Sequence, residues 1–174
     1  MKKIIFALGI LGVYSFSLNT FTISGKDKTY SSFEKDMVIH YYHGGGMQYA
    51  SENIYVRYDS CIRVDMLQGQ DRITKFAMTD ELRKQAIDIL TQTKATSIRS
   101  NSDHGFTHDK ATTSVCIEIN KQSDFCASSG SSSEINDDCK VNFSNLCSKL
   151  NEFSLKSDNK VKLQPTKRLR KKKK

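Results

Sequence analysis

The stretch IYVRYDSCIRVDMLQGQDRITKFAM, Ile54 to Met78, decides how the rest of the chain is read. Ile54, Val56 and Tyr58 alternate with polar neighbours, Asp59-Ser60 reads as a turn, and Ile62, Val64 and Met66 alternate again. Gly69-Gln70-Asp71 then turns into a third run, Arg72 to Met78. A period of two is the signature of strands. A parallel crossover takes about a dozen residues or more. The links here are far shorter, so these strands run antiparallel.

Working outward, Met37 to His43 supplies a strand before them. Between the two lies HYYHGGGMQY, His40 to Tyr49. A phosphate cradle needs a helix after its glycines, so that backbone N–H groups and the helix dipole meet the anion. Strand alternation follows Gly44 to Gly46 instead, which therefore read as left-handed or bulged turn residues. Downstream, Thr79 can cap a helix whose first residues, Asp80 and Glu81, suit its positive end, with Leu82, Ala86, Ile89 and Leu90 as the apolar stripe. A second helix carries Phe143, Leu146, Cys147, Leu150 and Phe153 on one side. It contains the sequon Asn142-Phe143-Ser144, whose use an inward Phe143 disfavours.

Between the helices, TSVCIEINKQSDFCASS (Thr113 to Ser129) reads as a hairpin. Val115, Ile117 and Ile119 share one face, and a loop of Asn120 to Gln122 sets Ile117 against Phe125 and Cys116 against Cys126. Opposed residues on paired strands approach about 4.5–5.5 Å, within disulfide range. Cys139 and Cys147 on one helix would be about 12 Å apart, too far to join. One of them can pair with Cys61, which leaves an odd thiol. No cysteine pair has the spacing of a zinc ribbon or a thioredoxin-like site. The expected class is α+β, an antiparallel sheet in the order β-β-β-β-α-β-β-α with two helices packed on one face.

The ends differ from this body. Lys2 and Lys3, then the apolar run Ile4 to Phe16, then small polar residues, have the form of a secretory signal peptide over residues 1–25. The competing reading is an uncleaved anchor, since Ile4 to Ile23 reaches about the 20 residues of a span. With cleavage no transmembrane segment remains, and export to a secreted or periplasmic setting favours disulfides. Residues 26–163 form a single domain, and 164–174 a disordered polybasic tail beginning near Pro165. The chain has 27 Lys and Arg against 19 Asp and Glu. Two of the basic residues are Lys2 and Lys3, and seven are Lys167, Arg168, Arg170, Lys171, Lys172, Lys173 and Lys174. The body is thus close to neutral, which argues against a basic nucleic-acid face on the fold. The tail is instead a tether for anionic surfaces or polyanions, or a solvated solubility tag.

Two function classes follow. The first is a secreted or periplasmic binding protein of inhibitor, immunity or surface-associated type. Its protein partner would contact the tyrosines of the first hairpin, Tyr41, Tyr42, Tyr49 and Tyr55. No cofactor is expected, and no nucleophile elbow or dinucleotide loop is present in the sequence. The second is a small secreted hydrolase or nuclease using His104, His108 and Lys110, with His104, His108 and Asp109 as the ligands of an optional metal. Its spacing lacks the HExxH glutamate, and Gly105 disfavours an aligning helix. His40 and His43 point to opposite faces of a strand and cannot chelate one ion together.

Overall fold

A computed structural model of the chain describes residues 28–46, 48–67, 70–102, 109–155 and 162–165. The strands are β1 (Met37–Gly45), β2 (Gln48–Arg57), β3 (Ser60–Leu67), β4 (Gln70–Ala77), β5 (Ser100–Asn101), β6 (Thr112–Ile119), β7 (Gln122–Ser129), β8 (Glu134–Ile135) and β9 (Lys162–Pro165). The helices are α1 (Asp80–Gln92) and α2 (Lys140–Ser154). β1 to β4 form a meander, and the chain returns after α1 to lay β6 against β1, giving the order β7-β6-β1-β2-β3-β4-β9. Every pairing in this sheet is antiparallel. β5 and β8 make a separate two-stranded pair. The class is α+β, as the sequence pattern requires.

Alternation gives the sheet two distinct faces. One rung of the inner face runs Phe125, Ile117, Ile39, Val56, Cys61 and Phe76, and the next runs Ala127, Val115, Tyr41, Ile54, Arg63 and Thr74. All twelve are buried. α2 lies over β2 and β3 and packs against α1. It contributes Phe143, Leu146, Leu150 and Phe153 to the core. The ring of Phe153 tilts at 57° against Phe76, with centroids 6.0 Å apart. In α1 the buried residues are Ala86, Ile87 and Leu90, while Leu82 and Ile89 are only partly covered. The stripe is thus rotated toward Ile87 relative to the sequence expectation, because α2 covers one flank of α1.

Three local features differ in detail from their sequence reading. Asn120 and Lys121 both take positive φ, 53° and 63°, so the β6–β7 loop has two residues rather than three. Ile119 pairs with Gln122, and a bulge at Asp124 restores the register, so that Ile117 still faces Phe125 and Cys116 faces Cys126. The bulge frees Asp124 to accept hydrogen bonds from Lys28 and Tyr30, which tie the start of the described chain to the sheet edge. Cys61, Cys139 and Cys147 are all free, so the option of a Cys61 bridge is not taken up. Beyond α2, β9 pairs with β4, placing Pro165 opposite Gln70 at a sheet edge, where a residue without an N–H is tolerated.

The glycine run is a turn, as its sequence context implies. Gly45 and Gly46 have φ of 87° and 68°, and the β1–β2 register slips between Gly44 and Gly45. At Gly44 an added Cβ would lie 2.5 Å from that of Ser51, so only glycine lets the two strands close.

The cap of α1 provides a direct check on the local reading. The Thr79 hydroxyl accepts from the Leu82 N–H at 3.3 Å. Thr79→Ala is expected to lower stability by about 1 kcal/mol in urea unfolding, with Thr79→Ser close to neutral.

Candidate functional site

A one-sided antiparallel sheet is normally apolar toward its helices and polar toward water. Here the outer face departs from that rule. In β3 the inward residues are Cys61, Arg63 and Asp65, and the apolar set, Ile62, Val64 and Met66, points away from the helices. Along one outer row Cys126, Cys116, His40, Tyr55, Ile62 and Lys75 stand opposite one another on successive strands. The next row carries Ser128, Ser114, Tyr42, Asn53, Val64 and Ile73. Neither α1 nor α2 covers this face.

The centre of the face is ordered by its own side chains. His40 and Tyr55 stack with ring centroids 4.4 Å apart and an interplanar angle of 4°. His40 Nε2 lies 3.3 Å from Asn53 Oδ1, and the Arg57 guanidinium sits 5.7 Å from the Tyr55 centroid, within cation–π range. Tyr42 and Tyr55 are both half-buried. An outward patch of tyrosine and branched aliphatic residues, edged by polar ones, has the composition of a protein contact surface.

The four tyrosines singled out from the sequence separate. Tyr42 and Tyr55 lie on the open face. Tyr41 belongs to the inner face, 6% exposed. Its hydroxyl engages Asn151 of α2, and burial, then the neighbouring Cys147 and Glu52, push its pKa up to about 12. It is a core residue and leaves the contact surface. Tyr49 lies in β2 and its side chain falls outside the described residues. Lys110 is exposed, and its carbonyl accepts from Ser131 Oγ. Asp109 takes a φ of 64° and is also exposed. His104, His108, the signal segment and residues 167–174 lie outside the described residues. Among the described residues no group of three or more His, Cys, Asp or Glu side chains is placed to hold a metal ion.

A cleft, unmarked by the sequence, opens at one end of the inner face. His43, Glu52, Asp65 and Arg72 face one another across β1, β2, β3 and β4 around a cleft of about 300 Å³. Its wall is organised by Arg63, 6% exposed. Arg63 Nε donates to Asp65 Oδ1 at 2.7 Å and Nη2 to Glu52 Oε1 at 2.7 Å. Nη1 reaches Asn151 Oδ1 at 2.8 Å and Ser154 Oγ at 3.0 Å. His43 is held through Nδ1, 2.8 Å from Thr113 Oγ1. Arg63 therefore joins β2 and β3 to α2 and neutralises two carboxylates; four of its five N–H donors are engaged by the fold. A charged residue alternating with apolar ones in β3 was the available signal. It could be used only once the face of that strand was known.

The cysteines divide by face as well. Cys116 and Cys126 form the disulfide, with Cα atoms 4.0 Å apart, on the open side. Burial pushes the Cys61 and Cys147 thiols up to about 12, so neither is a nucleophile at neutral pH. Comparison with family models, with curated proteins and with solved structures returns no match.

Proposed function

We propose that this chain is a secreted or periplasmic binding protein, of inhibitor, immunity or surface-associated type, that docks a protein partner on the open face of its sheet. The observation that supports this reading is the outward apolar patch around Tyr42, Tyr55, Ile62, Val64 and Ile73, left uncovered by α1 and α2. Tyrosine is well suited to such a role, giving a large amphipathic contact at the cost of two torsions. The disulfide across β6 and β7 is consistent with an oxidising compartment. In the same reading the segment Lys167 to Lys174 holds the protein near an anionic surface, an attraction that weakens as salt rises.

The test is capture of proteins from the compartment in which the chain is found, by immobilised wild-type protein and by the Tyr42→Ala, Tyr55→Ala variant. A partner held by the wild type should be lost, or weakened by at least about 2 kcal/mol, in the variant. The melting temperature should fall somewhat, since both side chains are half-buried and Tyr55 stacks on His40, so capture is measured well below the melting temperature of the variant. A partner retained equally by the two proteins would remove the open face from the reading.

A further inference from the structure

The open face carries one group whose chemistry the docking reading does not use. The Cys116–Cys126 disulfide occupies the outer row next to His40. Cys126 is exposed on β7, at the edge of the sheet. Cys116 is half-buried on β6, flanked by β7 on one side and β1 on the other. The three cysteines that are not joined belong to the covered side, Cys61 and Cys139 buried and Cys147 half-buried. Cys126 is therefore the one exposed cysteine among the described residues. Thiol–disulfide exchange depends on access to the sulfur attacked, so the two ends of this bridge are not equivalent.

We infer that Cys126 is a thiol-exchange site, through which a partner bearing a free thiol becomes covalently joined to the open face. For the carrier of that thiol the inference rests on the docking reading; the exchange chemistry stands apart from it. The incoming thiolate attacks Cys126 Sγ from the solvent side of β7. A bond forms between that sulfur and the visiting one, the Cys126–Cys116 bond breaks, and the electron pair leaves on Cys116 Sγ, which takes a proton from water. One disulfide replaces another, so no external oxidant or reductant is consumed.

The same geometry makes the step reversible. Strand pairing keeps the Cys116 and Cys126 Cα atoms 4.0 Å apart, so the released Cys116 thiol stays beside the mixed disulfide. It can attack Cys126 Sγ and expel the visitor, restoring the original bridge. A small thiol is therefore held only briefly, whereas a thiol whose carrier is docked on the surrounding face is held longer. The site would select for partners that satisfy both requirements.

Reduced glutathione tests the exchange without supplying a docking surface. The full-length oxidised protein is incubated with it, quenched with iodoacetamide at intervals and mapped by peptide mass. Glutathione is expected on Cys126 with the alkyl group on Cys116, in clear excess over the reverse arrangement. The Cys116→Ser variant lacks the resolving thiol and should accumulate a stable Cys126 adduct with oxidised glutathione; its melting curve reports whether it is folded. Three results would each overturn the inference. One is a bridge that survives conditions reducing it in the urea-unfolded chain. The second is glutathione shared equally between the two cysteines, and the third is a folded Cys116→Ser protein that forms no adduct. Partner capture measured after reduction reports docking separately. Lost exchange with intact capture would discard this inference alone, and the converse would discard the docking reading.

Discussion

Replacing Arg63 by alanine is expected to destabilise the protein by about 3–5 kcal/mol, the range for breaking a buried ion pair by removing one partner. The guanidinium is fixed by four hydrogen bonds, to Asp65, Glu52, Asn151 and Ser154. Its removal leaves Glu52 and Asp65, directly opposed on β2 and β3, facing each other without the charge between them. Their side chains are 31% and 16% exposed, so water relieves part of the repulsion but not all of it. The loss corresponds to a fall of roughly 10–20 °C in melting temperature. The triple change Arg63→Met, Glu52→Gln, Asp65→Asn removes the charges together and should recover most of the stability, because desolvating ions costs about as much as pairing them returns. Urea unfolding of the two variants checks this. Equal destabilisation in both would show that the hydrogen bonds from Arg63 to Asn151 and Ser154, lost in each variant, and not charge balance, set the cost.

Phe153→Ala is expected to cost a similar amount, about 3–5 kcal/mol, by a different route. Phe153 is 1% exposed and packs from α2 onto Phe76 of β4. Truncation removes the ring and leaves a void that the paired strands beneath it cannot collapse to fill. On the same helix Val141 is 70% exposed, and Val141→Ala should stay within about 0.5 kcal/mol. Urea midpoints of the two variants give the comparison directly. A loss below 1 kcal/mol at Phe153 would mean that α2 is not seated on the sheet as described. Phe153 adjoins Ser154, the Arg63 acceptor, so the Arg63→Ala, Phe153→Ala double variant should depart from additivity by about 0.5–3 kcal/mol.

How far the sequence could be read depended on how local the determining signal was. The β1–β4 meander was legible because its links are too short for any connection but a hairpin. The Cys116–Cys126 pairing was legible because Ile117 and Phe125 have to share a face, and two compensating changes, a shorter turn and a bulge at Asp124, leave that register intact. The phase of the strands was harder. In β1, Met37, Ile39 and Tyr41 compete with Val38, His40 and Tyr42 for the inner side, and both sets are largely apolar. Tyr41 and Tyr42, adjacent on one strand, must point to opposite faces; which of them turns inward is settled by α2 and β6, far along the chain. In β3 the apolar set lost the inner side altogether, because Glu52, Asn151 and Ser154 gather around Arg63 there. No window of a few residues contains that arrangement.

One ladder of the sheet joins β1 to β6, with Met37 paired to Ile119 and Gly44 to Thr112. These contacts close a loop that contains the rest of the meander and α1, giving this ladder a high contact order, the property that slows folding. Until β6 arrives, β1 presents an open row of backbone donors and acceptors, a template for mispairing with other chains. The Cys116–Cys126 bridge spans a sequence separation of 10 and can form as soon as its own hairpin closes. Oxidation therefore delivers β6 and β7 as one prefolded ribbon, so the search that completes the sheet becomes the docking of a rigid piece onto a waiting edge.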